Sequence, residues 1–154
     1  MEINLTAPVS ARATTLIDAP AARVWHILTR IEDWPAWNEQ VAWTRLAGTA
    51  TIGSSFHWKA GGLPIRSQLL ELEPGSRIGW SGRSLGIRAL HRWHLEGAGQ
   101  RTRVHSEESF DGLLPRLLPG TLKRLLEQSL QQGLAALKRE AERQQREASH
   151  AATT

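Results

Sequence analysis

Two residues in this chain can move protons near neutral pH from inside an apolar setting, and a third invites comparison with them. His91 and His94 stand in "HRWH", three apart with Trp93 between them. Glu108 follows in "RVHSEESF". Histidines three apart on a helix would be neighbours able to share a metal ion. On a strand, side chains alternate between faces, so the same pair would point to opposite sides. The flanking segments "GIRAL" and "LEGAG" alternate and end in turn residues, which predicts a strand and no metal site. With His91 inward, Trp93 and Leu95 share its face, and Arg92, His94 and Glu96 take the solvent side. The same alternation in "QRTRVHSEESF" turns Thr102, Val104, Ser106, Glu108 and Phe110 inward. A carboxyl group held among apolar side chains keeps its proton to higher pH and becomes an acid or a proton relay. Glu108 and His91 are therefore the candidate acid–base pair, or the polar anchor for a bound molecule. The competing reading makes them satisfied structural residues.

Other strands supply the walls around this pair. "GSSFHWK" directs Phe56 and Trp58 inward, and "SRIGWSG" directs Ile78 and Trp80 inward. In "PIRSQLLELE", Ile65, Ser67 and Leu69 are favoured as inward, with Leu70 and Leu72 competing; a bulge there would switch the parity. Facing these strands, "LPGTLKRLLEQSLQQGLAALKREA" places Leu118, Leu122, Leu126, Leu130, Leu134, Leu137 and Ala141 on one stripe, with Leu125 beside it. That period of 3.6 predicts a long helix near 121–146. The candidate ligand-contacting residues are thus Trp34, Phe56, Trp58, Ser67, Leu69, Trp80, Trp93, Ser106, Phe110, Leu118, Leu122 and Leu126.

Ahead of the strands, "RATTLID" reads as a first strand, and "PAARVWHILTRI" as a short amphipathic helix opened by Pro20. Asp33 is a candidate N-cap for a second short helix holding Trp34, Pro35 and Trp37. Trp34, Trp37 and Trp43 are candidates for a pocket mouth. For Trp25 and Trp37 the favoured reading is packing of the short helices on the sheet. From 41 to 111 six strand-length pieces are separated by short glycine-rich turns, which implies an antiparallel meander. Among these turns, "GGLP" at 61–64 and "GRSLG" at 82–86 are either plain hairpin connections or gates to a pocket. The sum is α+β: a seven-stranded curved antiparallel sheet, two short helices and one long C-terminal helix that grips the sheet and encloses a hydrophobic cavity.

The segments "IDAPAARVWHIL", "DWPAWN", "GSSFHW", "ELEPGSRIGWSG", "HRWHLE" and "TRVHSEESFDG" resemble the START-like or Bet v 1-like superfamily. The branch they look most like is the polyketide cyclase/dehydrase and lipid-transport-like proteins. The resemblance covers about residues 10–145. It implies the helix-grip fold and a small hydrophobic ligand, lipid-like or polyketide-like, that is bound or transported. It also leaves open a cyclase or dehydratase using the same cavity, and a protein-interaction module.

Bulk properties narrow the field further. The chain has 154 residues, seven tryptophans, two phenylalanines, no tyrosine and no cysteine. It is expected to form a single domain over 1–154, with its core at about 10–146 and a frayed tail. The absence of cysteine removes thiolate chemistry and disulfides. No signal-peptide pattern or membrane-length apolar run is seen, so a cytoplasmic location without stable membrane insertion is expected. A net charge of +4 is too small and too dispersed to argue for nucleic acid. Lys123, Arg124, Lys138, Arg139, Arg143 and Arg146 alternate with Glu127, Glu140, Glu142 and Glu147, the pattern of a solvated helix face. An RNA- or membrane-facing helix is the disfavoured alternative. No cofactor motif is found, and a monomer or homodimer is expected.

Overall fold

The computed structural model describes residues 1–154. Strand β1 (Val9–Ile17) is followed by helix α1 (Ala21–Thr29), a single 3-10 turn at Ile31–Asp33, and the four-residue helix α2 (Trp34–Trp37). Six strands follow: β2 (Val41–Leu46), β3 (Ser55–Ala60), β4 (Leu63–Glu73), β5 (Arg77–Ser84), β6 (Ile87–Ala98) and β7 (Arg101–Asp111). A short helix α3 (Leu113–Leu117) leads into the long helix α4 (Pro119–Ala151). The sheet order is β1-β7-β6-β5-β4-β3-β2, every neighbouring pair antiparallel. Consecutive strands are neighbours because their connections are too short for anything but hairpins; only β1 is brought from the start of the chain to pair with the last strand.

Helix α4 lies across the inner face. Leu126 and Leu130 pack with Val9 and Ala11 of β1. Leu134, Leu137 and Ala141 join the larger core with α1, Trp80, Trp93, Leu95 and Val104. The predicted stripe is thus the buried face from Leu126 onward. Leu118 departs from it: it is 49% exposed and sits at the junction between α3 and α4. The sequence reading did not include α3. Pro115 and Pro119 each lie in the opening turn of a helix, where a missing N–H costs little. At the other end, α4 continues to Ala151, through the segment expected to fray.

Three local features position the site. Trp34 opens α2 and donates its indole N–H to the Leu28 carbonyl at 3.0 Å, locking α2 under α1. Asp33 makes no capping hydrogen bond; its carboxylate takes Arg30 at 2.7 Å instead. In β4 the register slips between Leu69 and Glu71. The slip leaves Ile65, Ser67 and Leu69 on the inner side ahead of it and Leu72 after it, and turns Glu71 outward; Leu70, the other competitor, is 38% exposed at the bulge. Gly97 lets β6 pass close to α1, since a Cβ there would stand 2.9 Å from that of Ala21.

The β5–β6 hairpin turns on Leu85 and Gly86, with φ of 38° and 74°. Two consecutive left-handed residues make the turn type that suits asparagine–glycine. A leucine in this conformation costs about 1–2 kcal/mol, and Leu85 is the only non-glycine residue with positive φ.

Residues ahead of β1 also contribute. Met1 lies over Gly79 on the outer face, Arg92 donates to its carbonyl at 2.8 Å, and Ile3 is buried.

Candidate ligand-binding site

A cavity of about 360 Å³ lies between the inner face of the sheet and the first half of α4. That is the low end of the range for small-molecule sites, roughly 300–1,000 Å³. Of its 29 lining residues, 17 are hydrophobic. One wall is a set of interlocked aromatic rings. Trp34 stands 5.7 Å from Phe56, 5.3 Å from Trp58 and 5.1 Å from Trp80, the first two edge-to-face. Trp80 then meets the His91 ring at 4.9 Å, and His91 meets Trp93 at 5.5 Å. Such contacts, at 4.5–7 Å, each add about 0.5–1.5 kcal/mol beyond burial and hold the wall rigid.

Nine of the lining side chains are polar, and two of them, His91 and Glu108, are titratable groups shifted strongly by burial. His91 on β6 is directly opposite Glu108 on β7. Their side chains are 12% and 15% exposed, and the His91 Nδ1 to Glu108 Oε2 distance is 3.5 Å. Burial pushes the Glu108 carboxyl up to about 8 and the His91 imidazole down to about 3. At neutral pH both are therefore uncharged, Glu108 holding a proton and His91 lacking one. His91 Nε2 shares a 2.8 Å hydrogen bond with the Ser106 hydroxyl. With Nε2–H donating to Ser106, Nδ1 is left as an acceptor facing Glu108. At 3.5 Å the Glu108 proton is not committed to it, so the carboxylic acid can donate to a bound oxygen. The indole N–H groups of Trp37 and Trp93, both lining residues, have no hydrogen-bond partner.

The predicted residues separate into three sets. Trp34, Trp58, Trp80, His91, Trp93, Glu108, Phe110, Leu122 and Leu126 line the cavity. Phe56, Ser67, Leu69 and Ser106 point inward but form the layer behind the lining, each at most 5% exposed. Two of them orient lining groups: Ser67 accepts from Trp58 Nε1 at 3.0 Å, and Ser106 holds His91. Leu118 is outside the cavity altogether, displaced by the α3–α4 junction.

Trp37 both packs on the core and lines the cavity, so its two readings hold together. Asn38 and Gln40 after α2 and Gly133 on α4 also line it and were not singled out in the sequence. Trp43, a candidate for the mouth, does not; its ring lies under the Arg45 guanidinium at 5.0 Å. Both suspected gate turns border the opening, through Gly61 and Leu63 in one and Gly82, Arg83 and Ser84 in the other. They are tied together by a 2.7 Å hydrogen bond from Ser84 Oγ to the Pro64 carbonyl. His94 faces the outer side, where its ring stacks on His105 at 5.8 Å, so the two histidines of "HRWH" do not share a face.

Known structures share this architecture. A hypothetical protein from Helicobacter pylori superposes with a TM-score of 0.80 at 16% identity, covering 90% of this chain and 91% of its own. A START superfamily protein from Mycobacterium smegmatis gives 0.77 at 17%, covering 87% and 97%. The Zhui aromatase/cyclase from a Streptomyces species gives 0.77 at 17%, covering 87% and 93%. At these identities the likeness is one of fold. No curated protein sequence matches the chain significantly. Residues 8–142 match the family described as polyketide cyclase/dehydrase and lipid transport; with that match running through every strand of the sheet and most of α4, the chain belongs to this family.

Proposed function

We propose that the protein binds and carries a small, mainly apolar molecule bearing an oxygen acceptor. The observation that carries this reading is the pairing of a tryptophan-walled cavity with one proton-bearing carboxyl, Glu108, the only carboxyl in its lining. Apolar burial supplies the binding free energy, and Glu108, with the free indole N–H groups, selects the oxygen. Titration of tryptophan fluorescence with 2-naphthol and with naphthalene tests this. Both should quench saturably, 2-naphthol binding up to about tenfold more tightly through one hydrogen bond. Glu108→Ala should erase the difference. Lack of saturation with both probes would overturn the reading.

A second reading is a cyclase or dehydratase that folds a polyketide-like chain in the same cavity. It is favoured by the neighbouring acid and base, Glu108 protonated and His91 free. Under it, Glu108→Gln would abolish turnover of a poly-β-keto thioester and leave binding nearly intact.

A further inference from the structure

The rim of the cavity carries features that ligand binding does not require. Leu85 and Leu113 are each 70% exposed, Leu117 65%, Leu125 56% and Leu118 49%. They gather at one opening. Leu125 lines it, and Leu85 tips the hairpin whose flanks, Ser84 and Ile87, line it too. Helix α3, which carries Leu113 and Leu117, abuts that hairpin: Gly112 lies against Gly86, and Leu114 is 4.0 Å from the Cβ position of Gly86. Single exposed leucines mean little, but several around one opening form a patch of the kind that marks an interaction site. Leu85 adds an independent sign. It holds a left-handed conformation that asparagine would adopt at lower cost, and local strain of this sort gathers at functional positions.

The charge around the patch is predominantly positive. Arg66, Arg83 and Arg88 stand in register across β4, β5 and β6, all exposed. Like charges set directly opposite one another destabilise a sheet. The next residue in this row, Asp111, is shared between Arg88 at 3.4 Å and Arg116 at 3.3 Å. No acidic residue occurs from Gly112 to Leu126. The ion pairs of α4 all lie in its second half, Lys138 with Glu142 and Arg143 with Glu140 and Glu147. Lys123 and Arg124 therefore remain unpaired beside Leu122 and Leu125.

We propose that this rim docks on a membrane surface rich in anionic lipid. The leucines enter the headgroup–acyl boundary, and the arginines and lysines lie against the phosphates. Projecting apolar tips flanked by unpaired cations are what an interfacial surface needs. No helix is long and apolar enough to cross the bilayer, so the contact is peripheral. Docked in this way, the cavity opens toward the bilayer, and an apolar ligand passes between them without crossing water. The docking rests on the rim alone, so it is separable from ligand binding.

Flotation of the full chain with phosphatidylcholine vesicles, with and without phosphatidylglycerol, tests this. The protein should float with the anionic vesicles only, and less as salt is raised. Lys123→Glu with Arg124→Glu should weaken that binding about tenfold or more. Leu85→Asn should raise the melting temperature, by relieving the turn, and yet weaken vesicle binding about fivefold to tenfold. A purely structural leucine would not move the two readouts in opposite senses. Equal flotation with both vesicle types, or unchanged binding in both variants, would overturn the proposal. So would a wild-type protein that binds 2-naphthol but no vesicle; the rim would then be assigned to an acidic protein partner, with the cavity reading intact.

Discussion

Replacing Trp34 by alanine is expected to destabilise the protein by about 3–5 kcal/mol and to abolish 2-naphthol binding. Trp34 is 4% exposed and touches three other rings, Phe56, Trp58 and Trp80, within 6 Å. It lies between the aromatic wall and α1, to which its N–H is bonded. Truncation leaves a void that rigid rings cannot close. Trp34→Phe separates packing from hydrogen bonding, because it keeps most of the apolar volume and frees the Leu28 carbonyl. Its cost should be about 1–3 kcal/mol, with binding retained. Urea unfolding of both variants measures the effect. A loss below about 1 kcal/mol for Trp34→Ala would mean that the wall is not packed as described.

The second large effect is on the pH dependence of stability. In the unfolded chain Glu108 titrates near its ordinary 4.5 and His91 near 6.5; in the folded protein they titrate at about 8 and about 3. Between pH 3 and 4.5 only the unfolded state holds the histidine proton, so stability rises with pH. Between 4.5 and 6.5 each state holds one proton, on His91 when unfolded and on Glu108 when folded, and the pair contributes no slope. Between 6.5 and 8 only the folded state holds a proton, so stability falls as pH rises. Each limb amounts to about 2 kcal/mol. Glu108→Gln should remove the alkaline limb and extend the rising limb through the plateau, from pH 4.5 to 6.5, because His91 alone then differs between the two states. Denaturant titrations of both proteins from pH 4 to 9 show this as a difference curve. A wild-type alkaline limb that persists in Glu108→Gln would place its cause elsewhere.

The strands, the helix stripe and the inward faces were legible because alternation and a 3.6-residue period are direct consequences of backbone geometry. His91, Trp93, Glu108 and Phe110 were placed on the cavity side by that rule together with the solvent-like character of the residues alternating with them. Alternation gives the side of a sheet but not the depth within it. Ser67 and Ser106 face inward, yet the rings of Trp58 and His91 cover them. Phe56 and Leu69 are buried behind Trp34 and Trp80 in the same way. Asn38, Gln40 and Gly61 lie on irregular backbone, where no period exists to read. In the Leu69–Glu71 bulge one extra residue changes the parity, and composition does not announce it. The "GRSLG" turn was legible only as a connection or a gate; the exposure of Leu85 depends on the hairpin that presents it.

The central claim is that the cavity itself holds the ligand, and blocking it is the most direct test. Ala60 on β3 and Ala89 on β6 both line the cavity, so Ala89→Phe and Ala60→Trp each fill space without removing a polar group. The measurement is saturable quenching of tryptophan fluorescence by 2-naphthol in the wild type and in whichever blocked variant keeps the wild-type melting temperature. The account predicts saturation in the wild type and its loss in the blocked protein. Equal affinity in both would place the binding outside the cavity and contradict the account.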